Sequence, residues 1–390
     1  MNKKRTKLAY ICPWFSEEFG GPLYNLLNEL SKHINVVCMC SRQKYIQYFK
    51  RNEKYENKVE VINPNFKIHR FEAIAPRDVV IPFGLLKILD EEKPDIIQSD
   101  EYFRFTTIQA AKYARKNKIP LIINSRMRYR SGVARNGFLR LMTLFARNAV
   151  KEAKHIVAIG EIAKKEFLRW FPNTENKIEV IPTGLYPNKF KGIGPKQAEK
   201  FRIKYGIPLN KKIILDIARI YPVKRIDLLV RAFALVKQKV KDVALVVVGP
   251  AIEEEKQRIL ALVGELGLKV NVDVFFTGPI ENKNIGLAYA AADVFANTSE
   301  TEGICFSFLE AMSFKIPIVA FDVGGNPDVV KNGENGYLVP FGNIKSFANS
   351  LIDILADSKL KAKLGSNCRE KILGDFNLST IVKRLVYLML

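Results

Sequence analysis

The chain has 390 residues, of which 48% are hydrophobic, 26% charged and 11% aromatic. At roughly 150 residues per domain this length predicts two domains, and the composition excludes a disordered, collagen-like or disulfide-scaffold protein. The longest apolar runs are strand-length, far below the roughly 20 residues of a membrane helix. The five cysteines include no CxxC pair and the basic N-terminus is not typical of a signal peptide. We therefore expect a cytoplasmic protein without a zinc site.

Charge is the unusual feature of the composition. The net charge is +22, and the window 102–151 contains twelve basic residues and no acidic one. A field of this sign indicates an anionic partner: nucleic acid, an anionic membrane surface or a phosphorylated small molecule. A soluble surface with surplus lysine is the simpler alternative for part of it.

Short β-type runs alternate with helical stripes along the whole chain, which predicts an α/β fold of parallel sheets covered by helices. The predicted strands are 8–15, 34–41, 67–73, 94–100, 120–125, 155–160 and 178–184 in the first half, and 212–218, 243–249, 272–278, 293–299, 317–323 and 336–339 in the second. Proline and glycine crowd between 182 and 195, as in a linker. We expect two doubly wound Rossmann-like domains, 1–187 and 188–374, that face a central cleft where ligands bind.

Two loops that follow predicted strands suit phosphate. Gly20 and Gly21 precede a helical stripe, so their backbone amides could approach a phosphate, although a glycine pair there is also an ordinary tight turn. Arg219 and Lys224 share the loop after 212–218 and could clamp a diphosphate. Solvated loop cations are the alternative for this second pair.

The third loop, 299–312, carries carboxylates as well as helix-start amides. Glu302 lies in the loop, and Glu310 lies two turns along a helix that we expect to start near Cys305 or Phe306. Carboxylates accept hydrogen bonds from sugar hydroxyls, and unpaired helix-start amides bind hydroxyl or phosphate oxygens. The amides concerned are those of Gly303, Ile304, Cys305 and Phe306. Helix capping by Glu302 and solvation of Glu310 are the alternatives.

These motifs, in this order, resemble the retaining GT-B glycosyltransferases of family 4, closely over 178–390 and more loosely over 1–177. The matching stretches include "IPTGLYPNKF", "ARIYPVKRIDLLVRAF", "VVVGP" with Gly249, "SETEGICFSFLEAM" and "IPIVAFDVGGNPDVV". The resemblance implies a nucleotide-sugar donor bound by the C-terminal domain and an acceptor bound by the N-terminal domain. It also implies transfer with retention, without a metal, and a final helix over 375–390 that crosses back to the first domain.

The resemblance implies a role for each matching residue. Arg219 and Lys224 neutralise the donor diphosphate, Glu302 holds the hydroxyls of the donor sugar, and Glu310 binds the ribose. Gly20 and Gly21 form the loop that closes over the phosphates. Gly249 and residues 303–306 belong to the same donor site.

The sequence also departs from the family pattern. Arg126 stands where relatives commonly carry a histidine close to the reaction centre, so we count it with Glu302, Arg219 and Lys224 as a candidate catalytic residue. Gln98 and Asp100 stand where histidines are frequent. Lys315 and Thr298 replace a usual glycine and proline. The three histidines lie elsewhere, and we expect structural or solvated roles for them.

A basic amphipathic segment in the window 102–151 bears on the acceptor. Its predicted apolar stripe is Phe138, Leu141, Met142, Phe145 and Ala149, beside Arg135, Arg140, Arg147 and Lys151. Such a helix can lie on an anionic bilayer, or it can pack its stripe on the sheet.

The sequence thus predicts a hexosyltransferase that moves a sugar from a nucleotide-sugar donor to a lipid-linked, phosphate-bearing or glycan acceptor. We expect no cofactor, no metal and no nucleic-acid partner, and an anionic membrane surface at the cytoplasmic face is a candidate partner. The alternative is a catalytically silent GT-B subunit that binds a nucleotide or a partner enzyme.

Overall fold

The computed structural model describes residues 5–15, 21–44, 53–75, 79–126 and 133–390. The chain divides into two compact units, one formed by Met1–Thr183 together with Leu378–Leu390 and the other by Gly184–Asn377. The boundaries that the sequence predicts, after 187 and after 374, lie within a few residues of these.

The first unit contains an eight-stranded sheet of order β10-β9-β8-β7-β1-β2-β4-β3 and a small two-stranded sheet, β5-β6. Its strands are β1 (Lys7–Ile11), β2 (Asn35–Ser41), β3 (Val59–Asn63), β4 (Phe66–Phe71), β5 (Ala73–Ile74), β6 (Ile81–Pro82), β7 (Ile96–Asp100), β8 (Leu121–Ser125), β9 (His155–Ala158) and β10 (Ile178–Val180). Its helices are α1 (Pro22–Leu30), α2 (Leu85–Glu92), α3 (Phe105–Asn117), α4 (Val133–Glu152), α5 (Glu161–Trp170) and α14 (Leu378–Met389), with a 3-10 turn over Pro172–Lys177.

Side chains alternate across this first sheet, and Leu8 to Ile11 of β1 are all buried, so both faces of this central strand are covered. Ala9 and Ile11 pack into an apolar cluster with helices α2 to α5. On the other side of the unit the last helix, α14, packs on α1, and the Ser379 hydroxyl donates to Glu29 at 3.0 Å.

The second unit contains a six-stranded parallel sheet of order β13-β12-β11-β14-β15-β16. Its strands are β11 (Lys212–Ile217), β12 (Val243–Val248), β13 (Val274–Gly278), β14 (Val294–Asn297), β15 (Ile318–Phe321) and β16 (Gly336–Val339). Its helices are α6 (Pro195–Tyr205), α7 (Ile226–Lys239), α8 (Glu253–Glu265), α9 (Gly286–Ala291), α10 (Phe306–Ser313), α11 (Asn326–Val329), α12 (Ile344–Ala356) and α13 (Ser358–Leu373), with a 3-10 turn over Pro222–Lys224.

Both faces of the second sheet are also buried. Val294 and Ala296 join an apolar cluster with α7, α8 and α12, whereas the intervening Phe295 contacts Tyr289 of α9 and Phe308 of α10. Strands buried on both faces read as continuous apolar runs, which is why β12 is entirely apolar. The predicted α/β fold with two Rossmann-like domains is confirmed.

Three short strands escaped prediction. β3 pairs antiparallel with β4 at the sheet edge, and its Val59 and Val61 are exposed, so it lacks the buried pattern that identifies the other strands. β5 and β6 are two residues each, too short for a periodic signal.

The predicted apolar stripe on α4 is wrong as a single face. Met142 and Ala149 are buried, but Leu141 and Phe145 are 52% and 61% exposed, and the side chain of Phe138 lies outside the described residues. The buried face consists of Met142, Ala146, Ala149 and Val150, at helical spacing. Leu141, Leu144 and Phe145 form a second, exposed stripe beside it, which we call the α4 apolar surface.

Candidate functional site

The loop after β11 carries Arg219 and Lys224 at the carboxyl end of a central strand. Arg219 lies over the ring of Tyr221, with the guanidinium carbon 5.0 Å from the ring centroid. Gly249 supports this loop from the neighbouring strand, because a Cβ at that position would lie 2.1 Å from the Ala218 carbonyl oxygen. The structure therefore places Gly249 against the backbone of the Arg219 loop.

Lys224 forms an ion pair with Glu302, whose side chain is only 3% exposed. Two bonds hold the loops that carry the pair together. The Thr298 hydroxyl donates to the Arg225 carbonyl at 2.9 Å, and the Glu300 amide donates to the Val223 carbonyl at 2.9 Å. Proline, which the resemblance implies at position 298, has no hydroxyl and could not form this link.

Two adjacent glycines after β15 fix the backbone of Glu302. The Gly325 amide donates to the Glu302 carbonyl at 3.0 Å. A Cβ on Gly324 would lie 2.0 Å from that carbonyl oxygen, and a Cβ on Gly325 would lie 2.7 Å from the Gly303 oxygen. Sequence reasoning quoted this glycine pair only as a family motif and missed its role, which is the close approach of two loops.

Glu310 lies on α10 and is bound on both oxygens. Lys189 contacts Oε1 at 2.5 Å, and the hydroxyl of the buried Tyr289 donates to Oε2 at 2.8 Å. The Lys189 ammonium also lies over the Phe306 ring, 5.3 Å from its centroid. The alternative of a solvated Glu310 is therefore wrong, since its side chain is 10% exposed and has two fixed partners.

Helix α10 begins at Phe306, within the range that the sequence predicts, and Cys305 is its N-cap residue. No side chain caps this helix and its first turn has no acidic residue. Burial raises the pKa of Cys305 to about 12, so its thiol stays protonated at neutral pH. The loop from Gly303 to Cys305 therefore leads into α10, and no side chain caps the first backbone amides of this helix.

Asp216 is a further acidic residue of this unit that sequence reasoning missed. It lies on β11, is 1% exposed, and its Oδ1 has no hydrogen-bond partner. Burial raises its pKa to about 7, while the charge of Lys224 lowers it and that of Glu302 raises it. In the sequence, Asp216 is recognisable only as a single acidic residue among the apolar residues of the strand Lys212–Ile217.

In the first unit Arg126 follows β8 and joins a buried polar network. Its Nη2 donates to the Tyr10 oxygen at 3.0 Å, and its Nε lies 3.6 Å from Asp100 Oδ1. Tyr10 donates to Asp100 at 2.6 Å, and Asn124 donates to both Tyr10 and Asp100 at 2.8 Å. Gln98 donates to Asn124 at 2.7 Å. Except for Arg126, these residues were missed or noted only as departures from the family pattern.

Glu101 completes this network and has an unusual backbone. Its φ is +62°, in the left-handed region, and its Oε1 accepts the Arg126 backbone N–H at 2.9 Å. Its Oε2 is buried without a partner, and burial raises its pKa to about 7. A non-glycine residue held in this conformation at a strand end is typical of functional sites.

The two glycines of the first loop differ in what the structure describes. Gly20 lies outside the described residues. Gly21 precedes Pro22 as the N-cap of α1, which no side chain caps, and a Cβ there would meet nothing within 4 Å.

The structure thus joins Lys224 with Glu302 and surrounds Glu310 with Lys189 and Tyr289, all within the second unit, whereas Arg126 and Gly21 belong to the first. Among the described residues we find no group of three His, Cys, Asp or Glu side chains that could hold a metal ion. No helix in the described part of the chain is long and apolar enough to cross a membrane.

Comparison with known proteins gives relatives that match about half of the chain. N-acetyl-alpha-D-glucosaminyl L-malate synthase from Bacillus anthracis is 33% identical over 181 residues, 46% of each chain. A GDP-mannose-dependent alpha-(1-6)-phosphatidylinositol monomannoside mannosyltransferase from Mycolicibacterium smegmatis is 29% identical over 219 residues, 54% of this chain and 56% of the relative. The chain therefore spans about half the length of these curated relatives.

The fold is similar to that of Anabaena Alr3699/HepE, solved in complex with UDP, with a TM-score of 0.75 at 19% identity over 98% of both chains. Two family models together match most of the sequence. Glycosyltransferase Family 4 matches residues 23–189, and Glycosyl transferases group 1 matches residues 197–371. The predicted family is thereby confirmed, and the chain belongs to the family 4 glycosyltransferases with the GT-B fold.

Proposed function

We propose that the protein is a retaining hexosyltransferase that moves a sugar from a nucleotide-sugar donor to a lipid-linked, phosphate-bearing or glycan acceptor, without a metal ion or cofactor. The observation that carries the proposal is the Lys224–Glu302 ion pair, which brings a cation and a carboxylate from two strand-end loops to one point. A nucleotide-sugar presents a diphosphate and sugar hydroxyls, and these are the groups that such a pair can bind.

In this proposal Lys224 and Arg219 bind the diphosphate, Glu302 binds the sugar hydroxyls and Glu310 binds the ribose. Donor binding gives each member of the ion pair a new partner, since Lys224 gains phosphate oxygens and Glu302 gains hydroxyl donors. The amides of residues 303–306 contribute further donors to the phosphates.

The chemical step breaks the bond between the anomeric carbon and the oxygen of the β-phosphate. Negative charge then grows on that phosphate, where Arg219, Lys224 and the helix-start amides each contribute on the order of 3 kcal/mol of stabilisation. The departing phosphate takes the proton of the acceptor hydroxyl as that oxygen bonds to the anomeric carbon from the same face. This route needs no side-chain nucleophile, which agrees with the high pKa of the Cys305 thiol.

A lipid-linked acceptor is supported by one relative, whose name specifies a phosphatidylinositol monomannoside mannosyltransferase. It is also supported by the α4 apolar surface, where Leu141, Leu144 and Phe145 are 52%, 56% and 61% exposed. Arg147 and Lys151 are exposed on the same helix. An anionic bilayer suits this combination, because apolar side chains enter the acyl boundary while cations meet lipid phosphates. We therefore propose peripheral attachment at the cytoplasmic face of a membrane.

Liposome sedimentation tests this attachment. The wild type should sediment with anionic vesicles at low salt and less at high salt, and the double variant Leu144→Ser/Phe145→Ser should remain in solution. Ile203→Ser is the matched control, because Ile203 is 68% exposed on α6 of the other unit. Equal sedimentation of all three proteins would contradict the proposed surface.

Proton NMR of the product tests the transfer itself. The purified protein is incubated with a panel of UDP-, GDP- and ADP-sugars, with and without EDTA, and with a panel of alkyl glycosides. We expect one donor to be consumed with EDTA present, and the anomeric coupling constant of the product to match that of the donor. An inverted product or a need for metal would contradict the mechanism.

The alternative, a catalytically silent subunit, is favoured by the presence of Arg126 in place of the usual histidine. It predicts that a nucleotide binds but that no donor is consumed with any acceptor.

A further inference from the structure

The first unit contains an arginine whose hydrogen-bonding capacity is mostly unused. Arg126 has five N–H donors on its guanidinium. Within the described part of the chain, only Nη2 makes a hydrogen bond, to the oxygen of Tyr10 at 3.0 Å. The side chain is 32% exposed, so it is accessible to solvent. A planar edge with two parallel donors is therefore open to a ligand.

Asp100 does not accept a hydrogen bond from the Arg126 guanidinium. Its Oδ1 already accepts from Tyr10 at 2.6 Å and from Asn124 at 2.8 Å, and it lies 3.6 Å from Nε, beyond hydrogen-bonding distance. Asp100 thus holds the arginine by charge and leaves its N–H groups available.

The side chains that contact the guanidinium are hydrogen-bonded to one another. The Tyr10 oxygen donates once and accepts twice, which is its full capacity, and burial raises the pKa of Tyr10 well above its usual range, so it remains a neutral donor to Asp100. Asn124 is held in turn by Gln98. Residues from β1, β7 and β8 therefore fix the orientation of one side chain, as expected for a prepared binding group.

We infer that Arg126 binds an oxyanion on the acceptor, a phosphate or a carboxylate, through a bidentate contact, and that Tyr10, Asp100 and Asn124 are its positioning residues. Arginine matches both anions because its two parallel N–H groups fit two oxygens. The window 102–151, which contains Arg126, carries twelve basic residues and no acidic one, and this charge favours an anion. Asp100, 3.6 Å from Nε, and Glu101, which accepts the Arg126 backbone N–H, are the carboxylates beside it. The inference rests on the proposed function, since it names the class of acceptor that this transferase takes.

Transfer to three matched forms of each acceptor tests the inference. Each acceptor is offered as the neutral alkyl glycoside, as its phosphate monoester and as its uronic acid, which separates the two sources of the anion. For the wild type we expect kcat/KM to be about tenfold or more higher for one anionic form than for the neutral form. Arg126→Gln should remove this preference through KM with kcat nearly unchanged, and Arg126→Lys should retain part of it.

Two further variants separate binding from folding. Tyr10→Phe should reduce the preference in part, because the guanidinium loses its fixed acceptor. Arg115→Gln, an exposed arginine of α3 in the same unit, should leave the preference intact. An equal preference in the wild type and in Arg126→Gln would overturn the inference while leaving the proposed transfer intact.

A binding measurement keeps the inference testable without activity. At constant ionic strength, hexose 6-phosphate or hexuronate should raise the melting temperature of the wild type more than free hexose does, and Arg126→Gln should lose this difference. No difference between the sugars in the wild type would overturn the inference. If the transferase proposal itself were wrong, no nucleoside diphosphate would raise the melting temperature of the wild type.

Discussion

The two units place polar groups at the carboxyl ends of parallel strands in different ways. In the second unit the groups stand on loops, and glycines such as Gly249 and Gly324 let those loops touch. In the first unit the groups stand on the strands themselves or directly after them, as with Tyr10, Asp100 and Arg126, and they hold one another. In the second unit each loop leaves its own short sequence motif, whereas in the first unit the residues are single positions spread from Tyr10 to Arg126.

Both arrangements contain one buried carboxyl with a pKa of about 7, Glu101 in the first unit and Asp216 in the second. Each has one oxygen without a hydrogen-bond partner. In both units, therefore, burial disfavours the charged form of one carboxyl. The nearby cations differ, since they are Arg104 and Arg126 for Glu101 and Lys224 for Asp216. The following variants test these two environments.

The largest expected effect comes from Asp216→Asn. The folded protein keeps the proton of Asp216 up to about pH 7, whereas the unfolded chain loses it near 3.8, so stability falls as pH rises between those values. Asparagine removes this dependence. The free energy of unfolding of the variant, relative to wild type, should rise by up to about 4 kcal/mol between pH 4 and pH 8. Urea unfolding at both pH values measures it, and a constant difference would contradict the assignment.

Lys224→Met should reduce kcat/KM at least about a hundredfold, on the order of 3 kcal/mol, because a charge that stabilises the leaving phosphate is lost. It should also destabilise the protein by leaving the Glu302 carboxylate buried without its cation. The double variant Lys224→Met/Glu302→Gln separates these effects, since stability should recover and activity should not. Recovery of activity would show that Lys224 only neutralises Glu302.

Tyr10→Phe should lower the free energy of unfolding by about 2 kcal/mol, because Asn124 and Arg126 lose an acceptor and Asp100 loses a donor. Chemical denaturation measures the loss. Tyr205→Phe, on α6 of the second unit, is the control and should change little. A neutral Tyr10→Phe would mean that the network of the first unit is not rigid.

The smallest effect is expected at Lys315, which follows α10 with a φ of +61°. A side chain with a Cβ is strained in this left-handed conformation, whereas glycine is not. Lys315→Gly should therefore raise the free energy of unfolding by about 0.5–1 kcal/mol. Thermal unfolding checks it, with Lys345→Gly on α12 as a control that should destabilise instead.

The sequence predicts the fold well because both large sheets are parallel apart from the edge strand β3, and their central strands are buried on two faces. Apolar runs such as Val243–Val248 therefore identify the strands directly. The edge strand β3 escapes because none of its five residues is buried. The α4 stripe was misread because that helix has two adjacent apolar faces, and only packing distinguishes Met142 from Leu141.

The candidate site was predicted unevenly for a related reason. Glu302 and Glu310 lie in one short motif, which is recognisable from the resemblance to a known family. Tyr10 and Asn124 are 114 residues apart and meet only because β1 and β8 both flank β7. Lys189 shows no sign in the sequence of its contact with Glu310, since 121 residues separate them.

The central claim is that the second unit binds a nucleotide-sugar through Lys224 and Glu310. Isothermal titration of the wild type, Lys224→Met and Glu310→Gln with UDP, GDP and ADP tests it most directly. We predict that one nucleoside diphosphate binds the wild type and that each variant weakens its Kd at least about tenfold. No binding of any of the three, or an unchanged Kd in both variants, would contradict the account.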